Sequence, residues 1–141
     1  MSFRFGKRSM DNLQGVHSKL VSAAHRALEL SSVDFTVIEG LRSRERQAEL
    51  VKAKASWTMN SQHILGRAID VAPWVGGTIR WDWPLFIPIA RAFQLAAEEH
   101  GVIIRWGGTW NALNGAPKPS IGGLHKKRPD GPHFELGRNE I

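Results

Sequence analysis

The sequence predicts an α+β fold, a small and largely antiparallel sheet with helices packed on it. Three observations carry that expectation. Short segments rich in β-branched and aromatic residues, at 34–40, 68–73, 102–106 and 133–136, are interleaved with stretches of helical periodicity. No internal repeat, low-complexity tract or domain-scale linker interrupts the 141 residues, so one domain over residues 1–141 is expected. The chain contains no cysteine, so the fold cannot rest on disulfides, and at this length a hydrophobic core can carry it alone.

The elements follow in order. Residues 11–30 read as one amphipathic helix, capped by Asp11, with Leu13, Val16, Leu20, Ala24 and Ala27 recurring at three- and four-residue spacing. DFTVIEG, 34–40, reads as a strand ended by glycine. Ser43 then caps a short, highly charged helix reaching about Lys54. Residues 55–66 are loop-like, and AIDVAP, 68–73, is a second strand ended by Pro73. Gly76-Gly77 marks a turn. Asp82 caps a helix running to Gly101, within which Pro88 marks a kink or the true start. VIIRW, 102–106, is a third strand and HFEL, 133–136, a last short one. Between them, residues 107–132 hold six glycines and four prolines, and a loop of that length in a small domain is usually functional or disordered.

Composition narrows the class. Hydrophobic residues at 42% and charged residues at 23% describe an ordinary globular protein. No apolar run approaches the roughly 18 residues that span a membrane, so stable membrane insertion is not expected. MSFRFGKRSM carries basic residues but no apolar stretch after them, so no export signal is expected and folding should occur in a cytoplasm. The net charge of +6 favours an acidic partner: nucleic acid, an anionic envelope or cell wall. The local clusters at 42–46 and 126–128 also fit plain solvated surface, and no nucleic-acid-binding motif accompanies them. A monomer is the default for this size.

Two segments carry candidate chemistry: Ser61-Gln62-His63-Ile64-Leu65-Gly66-Arg67-Ala68-Ile69-Asp70 and Asp130-Gly131-Pro132-His133-Phe134-Glu135. Without cysteine, any metal must be held by His, Asp or Glu. On one helix His63 and Asp70 would stand about 10 Å apart along the axis, too far for bonds of about 2 Å to one ion. The spacing works if the chain reverses at Gly66, so that the following strand aims Asp70 back at His63. His133 is the natural third ligand, and two histidines with one carboxylate leave a coordination position open, as in catalytic zinc sites. The plainer alternatives are a loop histidine at 63 and a strand-end hydrogen-bond acceptor at 70. Asp130, three residues before His133, is placed to move a proton between water and a leaving amine. Glu135 shares a strand face with His133 and is either its supporting partner or an alternative acid; Asp130 is the preferred base.

Ser61-x-His63-x-x-Gly66-x-Ala68-x-Asp70 followed by Asp130-x-x-His133 resembles the zinc D-Ala-D-Ala carboxypeptidase and dipeptidase superfamily, peptidase family M15. Within it the chain is most similar to phage endolysins that are L-alanyl-D-glutamate peptidases. Phe3-Arg4-Phe5-Gly6-Lys7, Gly40-Leu41-Arg42, Arg105-Trp106-Gly107-Gly108 and Trp110-Asn111 extend the likeness over nearly the whole chain, while residues 112–129 depart from the pattern. The resemblance implies zinc on His63, Asp70 and His133 at the edge of the sheet, Asp130 as catalytic base, and Arg42 near the scissile carbonyl. It implies hydrolysis of the L-alanyl-D-glutamate bond of bacterial peptidoglycan by an enzyme kept in the host cytoplasm and let out by a holin-like partner to lyse the cell. The alternatives are D-Ala-D-Ala carboxypeptidase or dipeptidase activity and a non-enzymatic zinc- or wall-binding module.

Arg42, between a strand and a helix, is a candidate to stabilise an oxyanion; its alternative is an ion pair with Glu45 or Glu49. Ser61 reads as a hydrogen-bonding group near the metal or as a turn residue. His17, His25 and His100 fall on expected helices and read as surface or satisfied histidines, whereas His125 lies in the glycine-rich loop near substrate or solvent. Trp106 is expected in the core, and Trp57, Trp74 and Trp110 flank the expected site.

Overall fold

The computed structural model describes residues 3–56 and 58–141. Helices α1 (Lys7–Asn12) and α2 (Ser18–Leu30) precede strand β1 (Phe35–Glu39), and helix α3 (Arg44–Lys52) follows it. A 3-10 turn (Gln62–Leu65) leads into β2 (Ala68–Val75) and β3 (Thr78–Ile79). Helix α4 (Trp83–His100), β4 (Ile104–Trp106), β5 (Asn111–Ala112), a second 3-10 turn (Ile121–Gly123) and β6 (His133–Leu136) complete the chain. The sheet runs β1-β2-β6-β4-β5, with β3 paired to β2, and every pairing is antiparallel. The α+β expectation is met.

Strand alternation divides the sheet into two faces. Phe35, Val37, Ile69, Val71, Ile104, Trp106, Phe134 and Leu136 are buried in the core with α2 and α4. Alanines at 23, 24 and 27 on α2, and at 90, 96 and 97 on α4, are fully buried and let the two helices approach closely. Phe93 of α4 stacks on Phe134 at 3.9 Å between ring centroids, and Trp106 is fully buried with its indole N–H donating to the Gly131 carbonyl at 2.8 Å. Asp70, His133, Glu135 and Arg105 line a cleft with the opposite strand alternation.

Several boundaries differ from expectation. The single helix over 11–30 is two helices, because Gly15 adopts φ +81° and the chain turns between them. Asp11 lies inside α1, where it pairs with Lys7, and the cap of α2 is His17, whose Nδ1 accepts from the Lys19 amide. The break is docked against two later segments: the His17 amide donates to the Gly66 carbonyl at 2.8 Å, and Gly40 sits so close to the Asn12 carbonyl that a Cβ would collide with it. β2 runs through Pro73 to Val75, since Pro73 only accepts there, from the Arg80 amide at 3.0 Å, and its missing donor costs nothing. Pro88 lies inside α4, which starts at Trp83 beside Pro84. β4 begins at Ile104 rather than 102, because the Val102 amide still bonds the helical Ala97 carbonyl. The 107–132 segment contains β5 and the second 3-10 turn. Among the described residues no helix is long and apolar enough to cross a membrane.

Candidate metal centre and its cleft

Three local devices bring the first ligand segment into place. Ser61 caps the 3-10 turn by accepting from the His63 amide at 3.2 Å. Gly66 ends the turn at φ +67°, a left-handed conformation suited to glycine, and reverses the chain. Arg67 then donates to the Gly137 and Glu140 carbonyls, fastening the start of β2 to the C-terminal end of β6. β2 and β6 pair so that Asp70 lies directly opposite His133. Both strands are interior to the sheet, so the cluster sits where two central strands meet rather than on an outer strand.

The two histidines present opposite ring nitrogens. His63 Nδ1 lies 2.9 Å from the Gly40 carbonyl, which can only accept, so Nδ1 carries the proton and Nε2 keeps a lone pair. His133 Nε2 lies 2.7 Å from a Glu135 carboxylate oxygen, which leaves Nδ1 turned toward Asp70. His63 Nε2 stands 3.3 Å and His133 Nδ1 3.4 Å from Asp70 Oδ1. His63 Nε2 and Asp70 Oδ1 are buried without a hydrogen-bond partner. Buried lone pairs facing one another are unfavourable unless a cation lies between them. Bonds of about 2.0–2.1 Å in a tetrahedron place ligand atoms about 3.3 Å apart, so the observed separations suit zinc. One ligand atom from each of His63, Asp70 and His133 lies within 4.8 Å of the others. The site also favours positive charge electrostatically. Burial opposes ionisation of Asp70, but the His133 and His63 rings that face it outweigh this and hold the carboxyl well below its usual range. Burial likewise opposes charge on His133, yet Asp70 and Glu135 push it up to about 9.

Asp130 stands outside the three-residue cluster and lines the same cleft, half-buried. Burial and then the Asp70 charge push its carboxyl up, so it sits where a proton is easily taken. Its backbone is fixed by Gly107: the Asp130 amide donates to the Gly107 carbonyl at 2.8 Å, and the Gly107 amide donates to the His133 carbonyl at 2.8 Å. A Cβ on Gly107 would lie 2.9 Å from His133 Cβ and closer still to the Asp130 carbonyl. Gly107→Ala is therefore expected to displace both residues and to weaken any metal binding at the cluster by about 10- to 100-fold, as when a ligand loses its support. Calorimetric titration with zinc checks this, with Gly122→Ala, whose Cβ meets open space, as the control.

Arg42 is 8% exposed and clamped in place. Its Nε and Nη2 donate to the Glu39 carboxylate at 2.8 and 2.7 Å, Nη1 to Gln47 Oε1 at 2.7 Å, and Nη2 also reaches Asp70 Oδ2 at 3.5 Å. Its ion-pair partner is thus Glu39 rather than Glu45 or Glu49, and Glu49 faces Arg46 instead. Glu135 bonds His133 on one oxygen and Arg105 on the other, the supporting position. Trp110 holds φ +58° with its ring 5.2 Å from the His133 ring and its carbonyl accepting from Arg105 at 2.8 Å. Trp74 borders a separate groove with Arg4, Phe5 and Asp34, away from the cleft, whereas Trp81 lines the cleft. Trp57 lies outside the described residues. His125 lines the cleft, and its Nδ1 accepts from the Lys127 and Arg128 amides. His17 caps α2, His25 packs edge-on to Phe5, and His100 ends α4. Spacing alone missed Glu39, Gln47 and Gly40, whose parts arise from contacts across the fold. The cleft measures about 910 Å³.

Residues 1–137 match the family described as phage L-alanyl-D-glutamate peptidase. The chain is 39% identical over 140 residues to the L-alanyl-D-glutamate peptidase of Escherichia phage T5, covering 96% of this chain and 99% of that protein. It is 28% identical over 116 residues to the L-alanyl-D-glutamate peptidase of Listeria phage A118, covering 80% of this chain and 40% of that longer protein. Among solved structures, the L-Ala D-Glu endopeptidase ChiX of Serratia marcescens superposes with a TM-score of 0.80 at 42% identity, over 96% of this chain and 91% of ChiX.

Proposed function

This chain belongs to the phage L-alanyl-D-glutamate peptidase family, and on that premise we propose that it is a zinc endopeptidase, one domain over residues 1–141, that hydrolyses the L-alanyl-D-glutamate bond of bacterial peptidoglycan. The observation that carries the metal reading is the convergence of His63 Nε2, Asp70 Oδ1 and His133 Nδ1, two of those atoms being buried and unpartnered. Zinc held by the three residues supplies a Lewis acid and lets water lose a proton near neutral pH.

The chain's own groups do the rest. Gly40 and Glu135 fix the two imidazoles so that His63 Nε2 and His133 Nδ1 face inward, the nitrogens that would bind the metal. Asp130, its carboxyl pushed up by burial and by Asp70, takes the proton from the attacking water and returns it to the leaving amine of the D-glutamyl residue. Arg42 has four of its five N–H donors engaged by Glu39, Gln47 and Asp70. The remaining Nη1 hydrogen is assigned to the charge that develops on the carbonyl oxygen. Glu39 and Gln47 prevent the guanidinium from swinging away.

In the cell this reading makes the protein a monomeric endolysin, made in the host cytoplasm and reaching the wall after the membrane is breached. The net charge of +6 assists attraction to the anionic wall. Mass spectrometry of fragments released from purified peptidoglycan tests the reading. New amino termini at D-glutamate are expected, and release of terminal D-alanine alone would point instead to a carboxypeptidase of the same superfamily.

A further inference from the structure

We infer that Lys127 and Arg138 form the subsite for the free carboxylate of the glutamyl residue on the leaving-amine side of the scissile bond. The inference rests on the L-alanyl-D-glutamate reading and adds what recognises the substrate. Four carboxylates line the cleft: Glu39, Asp70, Asp130 and Glu135. Arg42 is paired with Glu39 and its one remaining donor is assigned to the scissile carbonyl, and Arg105 is paired with Glu135, so neither is left for a second carboxylate on the substrate. Lys127 and Arg138 line the same cleft, are exposed, and have no side-chain partner among the described residues.

Substrate chemistry requires such cations. A glutamyl residue joined to its neighbour through either carboxyl keeps the other free. The peptide therefore carries a negative charge within one residue of the bond that is cut. In a cleft walled by carboxylates that charge is repelled unless a cation meets it. Lys127 is carried by the segment that carries the proton acceptor, and Arg138 lines the same cleft. The proton acceptor Asp130 must face the leaving amine, and Lys127 lies three residues before it on the same segment. That segment is ordered beneath Lys127 by His125, whose Nδ1 accepts from the Lys127 amide at 3.2 Å and the Arg128 amide at 3.1 Å. Arg138 follows β6, the strand that turns His133 and Glu135 into the cleft, and a guanidinium suits a carboxylate in bidentate fashion.

The test compares two soluble stem peptides, one with the free D-glutamyl carboxylate and one with that group converted to the amide. Wild type, Lys127→Met, Arg138→Met and Arg138→Lys are assayed on both. Wild type should prefer the acid peptide by about tenfold in kcat/KM. Each Met variant should lose about tenfold on the acid peptide, chiefly through KM, and little on the amide, and Arg138→Lys should keep part of the preference. Thermal midpoint and zinc content should not change, since neither side chain supports the fold. Equal losses on both peptides, or no loss, would overturn the subsite while leaving the peptidase reading intact. Failure of wild type to cut either peptide at this bond would remove the peptidase reading itself, and the subsite with it.

Discussion

Asp130→Asn should keep its zinc and its fold while losing on the order of 10² to 10⁴ in turnover, the usual range for a positioned acid or base. The amide preserves shape but cannot accept a proton from water. The side chain is outside the ligand cluster, and its backbone bonds to Gly107 and His133 do not depend on the carboxylate, so neither metal nor structure should be lost. Glu135→Gln is the natural comparison. Its carboxylate bridges His133 and Arg105, so replacement should disturb the support of one ligand and cost about 10- to 100-fold. Zinc content and turnover of the two variants, measured together, decide the assignment. An active Asp130→Asn beside a dead, zinc-loaded Glu135→Gln would move the base to Glu135.

Loss of a ligand should act on metal and stability at once. His63→Ala and His133→Ala each leave two protein ligands where three converge, and most bound zinc should be lost. Zinc that binds only the folded chain stabilises it by about 4 kcal/mol when free metal exceeds Kd a thousandfold. The wild-type Tm should therefore rise on adding zinc and fall with a chelator, while the Tm of the two variants should respond little. His63→Ala should also lower the zinc-free Tm, because the Gly40 carbonyl loses its buried donor. Full zinc retention in both variants would require a different ligand set.

Sequence periodicity and punctuation were sufficient for much of this molecule. The strand at 133–136, the Ser43 cap, the Gly66 reversal and the turn at Gly76-Gly77 depend on local backbone preference and appear where the residues alone place them. The two candidate segments were visible as well, because His63, Gly66 and Asp70 make chemical sense only if the chain doubles back. What local reading could not supply was the break between α1 and α2. An uninterrupted apolar stripe hides it, and it exists because Gly15, Gly40 and Gly66 pack against neighbours distant in the chain.

The charge partners were equally hidden. Arg42 lies within reach of Glu39, Glu45 and Glu49 in sequence, and the bulge between Val37 and Glu39 together with the start of α3 selects Glu39. The chain by itself determined the fold class and the residue types able to hold a metal, since both follow from side-chain chemistry and short-range spacing. The tertiary structure alone decided which atoms converge. The antiparallel register sets Asp70 opposite His133, the Gly40 carbonyl fixes the tautomer of His63, and the close approach at Gly107 seats Asp130 beside them. Each of these depends on distances between segments far apart in sequence, which only the packed core sets.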